Sequence, residues 1–160
     1  MKKEKILSAT RSFEIRFSEV DSMGVVWHGN YAKYFEDARE EFGKKYDLGY
    51  LFMYDKGYFE PLVDLSFKFK KPLIYGMNPE ITVTYRPTDA AKIIFDYEIR
   101  DTKTGEVYVT GHSIQVFMDK SNYQMMLCDM QTIIRRPPIF SSIPHKNQDS
   151  ITSSDSCSYP

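Results

Sequence analysis

The sequence stretch that decides the fold is residues 13–31, FEIRFSEVDSMGVVWHGNY. In its first part the apolar residues Phe13, Ile15 and Phe17 are separated by polar ones. Alternation with a period of two residues is typical of a strand with one buried face. We therefore predict a half-buried strand over residues 11–18, followed by a loop that leads to a longer element.

That longer element has a different period. After residue 30, apolar side chains recur at spacings of three and four, which is the pattern of one helix face. Asn30 is a suitable N-cap residue, and Gly49 lies just past the predicted helix end. Acidic and basic side chains occupy mostly the opposite side. The predicted buried face consists of Tyr31, Tyr34, Phe35, Ala38 and Phe42.

The rest of the folded chain reads as strands joined by short turns. Apolar residues alternate over 63–69, 81–85 and 93–99, and each run has the length of a strand. Residues 101–105 are predicted to form a hairpin turn, with Gly105 in the left-handed region.

A fourth apolar run changes its parity. It begins at odd positions, Val107 and Val109, and continues at even positions from Ile114. A one-residue offset moves side chains to the other face of a sheet, so a β-bulge is predicted near residues 111–112.

These elements define a fold class and a domain organisation. Antiparallel strands around one long helix make an α+β fold, and the apolar helix face indicates that a sheet of five to six strands wraps the helix. A chain of 160 residues fits a single domain. We predict that this domain covers residues 1–135 and that the Pro- and Ser-rich residues 136–160 form a disordered tail.

Composition and charge argue against several functional classes. The net charge of −1 is unlike that of a general nucleic-acid binder, which carries a basic excess. No apolar run approaches the roughly 20 residues of a membrane-spanning helix, and the first residues lack the apolar segment of a secretory signal. Only two cysteines occur, Cys128 and Cys157, which favours a reduced, cytoplasmic protein. We find no spacing typical of metal ligands.

The segment between the first strand and the helix resembles a known family. Its order is Asp21 before a small residue and Gly24, then two apolar residues, then the pair Asn30-Tyr31 that opens the helix. This pattern is similar to that of the 4-hydroxybenzoyl-CoA thioesterase family and of the related short-chain acyl-CoA thioesterases associated with bacterial envelope systems. The similarity extends more loosely to about Met118. It implies the hotdog fold, in which an antiparallel sheet wraps a long central helix.

The resemblance also implies an activity and a catalytic residue. In the family, the aspartate at the position of Asp21 acts as nucleophile, or as general base for water, in the hydrolysis of an acyl-CoA thioester. A thioester carbonyl needs an attacking oxygen and a positive group facing its developing oxyanion. Backbone N–H groups near residues 28–31, at the positive end of the helix, are suited to the second role. Taken alone, Asp21 is typical of a turn or cap residue.

Further expectations follow from the same resemblance. No metal or redox cofactor is expected, since coenzyme A is part of the substrate. Family members pair as dimers that join two sheets and build active sites at the subunit boundary, and they often form tetramers. An open sheet edge in a single copy also needs covering. We therefore expect a homodimer or a homotetramer.

Residues near the helix start are candidates to assist Asp21. Several family members have a histidine at the position of His28, which is suited to orient Asp21 or to donate to the carbonyl. A solvent-facing loop histidine is the alternative. Trp27 and Tyr31 are candidates to line the acyl pocket, and core packing explains them equally well.

Three lysines are candidates to bind the phosphates of coenzyme A. Lys68, Lys70 and Lys71 lie on a predicted strand and at its end, with Lys68 and Lys70 expected on one face. Relatives place basic side chains near the mouth of the pocket. A solvated sheet face explains the same residues.

Other mechanisms and functions stay open. A second group of hotdog thioesterases uses a glutamate of the central helix, where this chain has Glu36, Asp37, Glu40 and Glu41. A hotdog hydratase or dehydratase would use a histidine with an acidic residue. A non-catalytic acyl-CoA-binding protein would lack the catalytic aspartate. The acyl group itself is left open.

Overall fold

The computed structural model describes residues 6–126, and within them two helices and seven strands. None of the helices in that range is long and apolar enough to cross a bilayer. The predicted domain end at residue 135 and the predicted tail over 136–160 lie outside the described residues. The helices are α1 (Asn30–Tyr46) and α2 (Tyr50–Asp55); the strands are β1 (Ser8–Ser12), β2 (Tyr58–Phe59), β3 (Leu62–Phe69), β4 (Pro79–Arg86), β5 (Lys92–Asp101), β6 (Val107–Val116) and β7 (Met118–Asp119).

Five of the strands form one antiparallel sheet. Its order is β1-β4-β5-β6-β3, and β2 pairs with β7 in a separate ribbon. The turn between β5 and β6 has Gly105 at a φ of 71°, in the left-handed region as predicted. The architecture confirms the predicted α+β fold of one long helix against a five-stranded antiparallel sheet.

The core lies between α1 and the inner face of the sheet. The five predicted core residues of the helix are each no more than 5% exposed, so the helical period identified the buried face correctly. Phe35 stacks on Tyr97 of β5 with ring centroids 4.1 Å apart. Burying each such aromatic side chain contributes about 1.5–3 kcal/mol. The helix is thereby fixed on the sheet, and its N-terminus with it.

The parity prediction for β6 is wrong. The pairing with β5 is regular from Val109 to the strand end, and its irregularity falls at Tyr108. Odd positions face the core throughout this stretch, including the buried polar residues Ser113 and Gln115. Gly111 belongs to this inner face because a Cβ there would lie 2.1 Å from the ring of Phe35. Gly111, Ser113 and Gln115 therefore interrupt the apolar pattern of β6, although they lie on the same inner face as its apolar residues.

The first strand and the N-cap of α1 lie at different residues from those predicted. β1 ends at Ser12, although the N–H of Phe13 still donates to the carbonyl of Pro79 in β4 (3.0 Å) and that of Ile15 to the carbonyl of Met77 before it (3.1 Å). Ile15 is fully buried, but Phe17 is 78% exposed because the chain there forms a 3-10 turn (Phe17–Glu19). Gly29 is the N-cap of α1, and Asn30 is its first helical residue.

Candidate active site

Asp21 lies at the base of a tight loop between the 3-10 turn and α1. Its N–H donates to the carbonyl of Val25 (2.8 Å), and its carbonyl accepts from the N–H of Gly24 (2.9 Å). Gly24 has a φ of 73°, a conformation that costs a residue with a Cβ but not glycine. The small residue and glycine after Asp21 are therefore what allow the chain to turn here.

One oxygen of the Asp21 carboxylate is committed to this turn. Its Oδ1 accepts from the N–H groups of Met23 (2.8 Å) and Val25 (3.4 Å). The Oδ2 atom makes no hydrogen bond to any residue of the described range. Asp21 is thus a turn residue, as its residue type alone suggests. It also keeps one carboxylate oxygen available.

Glu19 joins the Asp21 loop to the helix. Its backbone carbonyl accepts from the N–H of Trp27 (2.9 Å) and from Nδ2 of Asn30 (2.9 Å). Its Oε2 accepts from the phenol of Tyr34 (2.8 Å) and from the N–H of Arg16 (2.9 Å). Burial raises the pKa of Tyr34, and the neighbouring Glu19 carboxylate raises it further, so the phenol keeps the proton that it donates. These bonds fix the loop relative to the first turns of α1.

The start of α1 leaves two backbone donors without a partner. The N–H of Asn30 donates to the carbonyl of Trp27 (2.9 Å), and that of Tyr31 to the carbonyl of His28 (3.4 Å). The N–H groups of His28 and Gly29 donate to no residue between positions 6 and 126. They stand at the positive end of a 17-residue helix, where an oxyanion is favoured.

A cavity of about 330 Å³ brings most of the predicted site residues together. Five of them line it, namely the aspartate, the histidine, one tyrosine and two lysines. The full lining consists of Asp21, Val25, Val26, His28, Tyr31, Phe69, Lys70, Lys71 and Pro72.

The two predicted aromatic lining residues have different positions. Tyr31 lines the cavity, is 2% exposed and packs edge-on against Phe69 with centroids 4.9 Å apart. Burial raises the pKa of Tyr31, so the phenol stays neutral. Trp27 is 51% exposed and lies over Gly29, where a Cβ would be 1.9 Å from its ring. Trp27 therefore does not line this cavity. The centroid of its ring instead lies 4.9 Å from that of His28.

The three predicted lysines are divided between two faces. The N–H groups of Lys70 and Lys71 both donate to the carbonyl of Tyr108 (2.8 and 3.0 Å), which interrupts the alternation of side chains after β3. Lys71 forms an ion pair with Glu106 that raises its pKa. Lys68 lines a different cavity, over the outer face of the sheet.

The acidic residues of α1 lie away from Asp21. Asp37 pairs with Arg11 (2.8 Å), and Glu36 and Glu40 pair with basic residues of the helix itself. Neither these residues nor Glu41 lines the cavity at Asp21. The geometry gives no support to a helix-glutamate mechanism within the described residues.

Sequence reasoning missed the residues that hold the loop in place. Glu19 and Tyr34 are 15 positions apart, and no local motif links them. Tyr34 was recognised only as a core residue, because helical periodicity reports burial and not the partner of a phenol. The sequence around Glu19 offered no comparable signal.

Comparison with known proteins identifies the family. The model of the thioesterase-like superfamily matches residues 15–143, which contain every described residue that lines the cavity at Asp21. The chain belongs to this superfamily.

The chain is also similar to individual relatives and solved structures. A Bacillus subtilis relative, provisionally named acyl-CoA thioesterase YneP, is 32% identical over 116 residues, covering 71% of this chain and 82% of the relative. The DHNA-CoA thioesterase from Staphylococcus aureus is 28% identical with a TM-score of 0.69, covering 75% of this chain and 80% of that one. A 4-hydroxybenzoyl-CoA thioesterase variant, solved with 4-hydroxybenzoyl-CoA, is 17% identical with a TM-score of 0.70 (80% and 96% covered). That last likeness confirms the hotdog fold.

Proposed function

We propose that this thioesterase-like protein hydrolyses an acyl-CoA thioester to a free acid and coenzyme A, with Asp21 as the essential carboxylate. The observation that carries the proposal is the free Oδ2 of Asp21 in a cavity that also holds His28 and Tyr31. Membership of the superfamily and the acyl-CoA thioesterase names of its relatives support the reaction class.

Two chemical routes use the same free oxygen. In one, Oδ2 attacks the thioester carbon, the C–S bond breaks, and water then cleaves the resulting anhydride. In the other, Oδ2 takes a proton from the water that attacks the carbon. Both routes release the acid and the thiol of coenzyme A. Neither needs a metal or a redox cofactor, so we propose that the enzyme uses none.

The backbone at the start of α1 is suited to stabilise the developing oxyanion. The unpartnered N–H groups of His28 and Gly29 belong to the same segment as the cavity lining. Preorganised backbone donors of this kind stabilise a tetrahedral intermediate by about 3–4 kcal/mol each. In this arrangement the side chain of His28 borders the reacting group and assists Asp21 or the carbonyl.

Lys70 and Lys71 are suited to bind the phosphates of coenzyme A. Both line the cavity, and no carboxylate of the described residues pairs with Lys70. Lys71 already has Glu106 as its partner, so Lys70 is the stronger candidate. Lys68, on the outer face, is excluded from the proposed substrate site.

Strand β3 supports a homodimer. It is an edge of the five-stranded sheet, and Leu62, Val63 and Phe69 on it are 39–57% exposed. An unpaired edge with apolar side chains is a site for pairing with a second strand. Because β3 leads directly into the lysines of the cavity, a partner copy would border each active site. We also propose a cytoplasmic location, on the basis of the low cysteine content.

Turnover of a panel of acyl-CoAs by the full chain tests the reaction class. We expect free acid and free thiol in equal amounts, with kcat/KM varying over the panel. Product formed without free thiol would indicate a hydratase or dehydratase instead. Tight binding of acyl-CoAs without turnover would indicate a non-catalytic binding protein.

A further inference from the structure

Trp27 lies next to a residue that lines the cavity at Asp21, yet its own side chain lies outside that cavity. The residue is 51% exposed, and it is the single tryptophan of the chain. Its backbone is held on both sides, since its N–H donates to the carbonyl of Glu19 and its carbonyl accepts from the N–H of Asn30 (both 2.9 Å). The fixed backbone limits where the indole can lie.

The indole lies against the Cα of Gly29. A Cβ on Gly29 would come within 1.9, 2.2 and 2.5 Å of three carbons of the six-membered ring. The backbone of Gly29 has φ −65° and ψ −20°, a conformation that any residue adopts. Glycine is therefore required here by the ring and not by the backbone. A side chain at position 29 would have to displace the indole.

The same ring holds the side chain of His28. The two ring centroids lie 4.9 Å apart with 44° between the planes, which is a favourable geometry for an aromatic pair. The imidazole of His28 makes no hydrogen bond to any other residue between positions 6 and 126. Because His28 is exposed, the indole is the group of the described range that restricts the imidazole beside the cavity.

These two neighbours are the residues whose backbone donors face the proposed oxyanion. Gly29 is the N-cap of α1, and the N–H groups of His28 and Gly29 have no acceptor among the described residues. An apolar ring beside such donors lowers the local dielectric constant, which strengthens their interaction with a developing negative charge. Trp27 thus packs on both residues that supply the donors, although it does not line the cavity.

We propose that Trp27 is a positioning residue for the thioester hydrolysis and acts through His28 and Gly29. Its indole holds the imidazole of His28 beside the cavity and shields the peptide of Gly29 from water. This role depends on the proposed function. It makes the sequence Trp27-His28-Gly29 one unit, in which a ring, the side chain that it holds and a residue without a Cβ fit together.

Steady-state kinetics of Trp27→Ala on an acyl-CoA that the wild type hydrolyses test the role. We expect kcat to fall by about threefold to tenfold with KM changed by less than about twofold, because the residues that line the cavity are retained. Trp27→Phe keeps an aromatic ring and is expected to retain at least about half of the wild-type rate. An unchanged kcat in Trp27→Ala, or a change in KM alone, would overturn the proposal.

Tyr75→Leu is the matched control for this measurement. Tyr75 is 57% exposed, its ring pairs with that of Phe17, and it does not line the cavity at Asp21. Its loss is expected to leave kcat and KM unchanged. A fall in kcat equal to that of Trp27→Ala would show that loss of any exposed ring pair slows the enzyme, and the positioning role would be wrong.

A double-mutant cycle tests the contact between Trp27 and Gly29. Gly29→Ala displaces the indole but keeps the backbone N–H, so we expect it to lower kcat about as much as Trp27→Ala does. The double variant is expected to be about as active as Trp27→Ala alone, because no ring is left to displace. Losses that multiply in the double variant would show that the two residues act independently, which would contradict the proposal.

The fluorescence of the single tryptophan separates this role from the proposed function, because the measurement needs no turnover. In Gly29→Ala the displaced indole becomes more hydrated, so its emission is expected to shift to longer wavelength, whereas Tyr75→Leu leaves it unchanged. An active wild type with no emission shift in Gly29→Ala would overturn the positioning role alone. A wild type that hydrolyses no acyl-CoA would contradict the proposed function, whatever the emission of the variants.

Discussion

The two ends of α1 border cavities that treat their polar groups in opposite ways. At the N-terminal end, Asp21 and Glu19 are held by hydrogen bonds from the surrounding backbone and from Tyr34. Beside the C-terminal half, Glu60 lines a cavity and makes no hydrogen bond to another described residue, although Arg39 lines the same cavity. The comparison teaches that the carboxylates at one end are held in place by hydrogen bonds, whereas the carboxyl of Glu60 at the other end is desolvated without one.

The largest expected difference concerns the free energy of unfolding at Glu60. Its pKa is raised from 4.5 to about 7 in the folded chain, so the folded state holds a proton that the unfolded state loses first. The contribution of Glu60 to the free energy of unfolding of the wild type is therefore fully present below about pH 4.5 and falls as the pH rises to about 7. Glu60→Gln removes this fall, and we expect it to stabilise the protein by up to about 3 kcal/mol above about pH 8.

Urea unfolding at about pH 4 and about pH 8 measures this difference. Glu40→Gln, which changes an exposed carboxylate of α1 that lines the same cavity, is the matched control and is expected to have the same pH dependence as the wild type. If the difference in unfolding free energy between Glu60→Gln and the wild type were the same at both pH values, the folded chain would not penalise this charge.

The next effect concerns the preorganised end of the helix. Glu19→Ala removes the acceptor of Tyr34 and of the Arg16 N–H, so we expect kcat to fall by about tenfold to a hundredfold with little change in KM. Glu19→Gln keeps an oxygen that accepts both bonds and is expected to restore most of the rate. Steady-state kinetics measure both values.

Glu14→Ala is the control for that prediction, because Glu14 is an exposed residue of the same segment. If Glu19→Ala changed only the thermal stability, or if Glu19→Gln were as slow as Glu19→Ala, the positioning role of Glu19 would be wrong.

A smaller effect is expected at the lysines of the cavity. Lys70→Ala is expected to raise KM for acyl-CoAs by about threefold to fivefold, since an exposed charge pair contributes less than about 1 kcal/mol. Lys68→Ala, two residues earlier on the outer face of β3, is expected to leave KM unchanged. The effect of Lys70→Ala disappears with a pantetheine thioester that lacks the nucleotide. Equal effects of both variants would place the phosphates elsewhere.

Local pattern was sufficient to predict the scaffold and part of the site. The helical spacing from Tyr31 to Phe42 gave the buried face, and the loop with Asp21 and Gly24 gave the turn that the structure contains. Periodicity failed at β6, since Gly111, Ser113 and Gln115 face the core through contacts made by other elements. Side-chain apolarity does not report such packing.

The rest of the site depends on contacts distant in sequence. Glu19 meets Tyr34 across the loop, and Glu60 is half-buried beside a helix that ends fourteen positions earlier. The division of Lys68 from Lys70 arises where the chain bends at the end of β3 and both following N–H groups turn to Tyr108. None of these arrangements follows from a local repeat.

The most direct test is the kcat/KM of Asp21→Asn on the best acyl-CoA of the panel, measured beside the urea midpoint. Asparagine keeps an oxygen that accepts the Met23 N–H, so the loop is expected to fold normally. Hydrolysis is expected to fall by about a thousandfold, while Glu36→Gln, which changes a helix acid, retains near wild-type activity. Full hydrolysis by Asp21→Asn with an unchanged midpoint would contradict the assignment of Asp21 as the catalytic carboxylate.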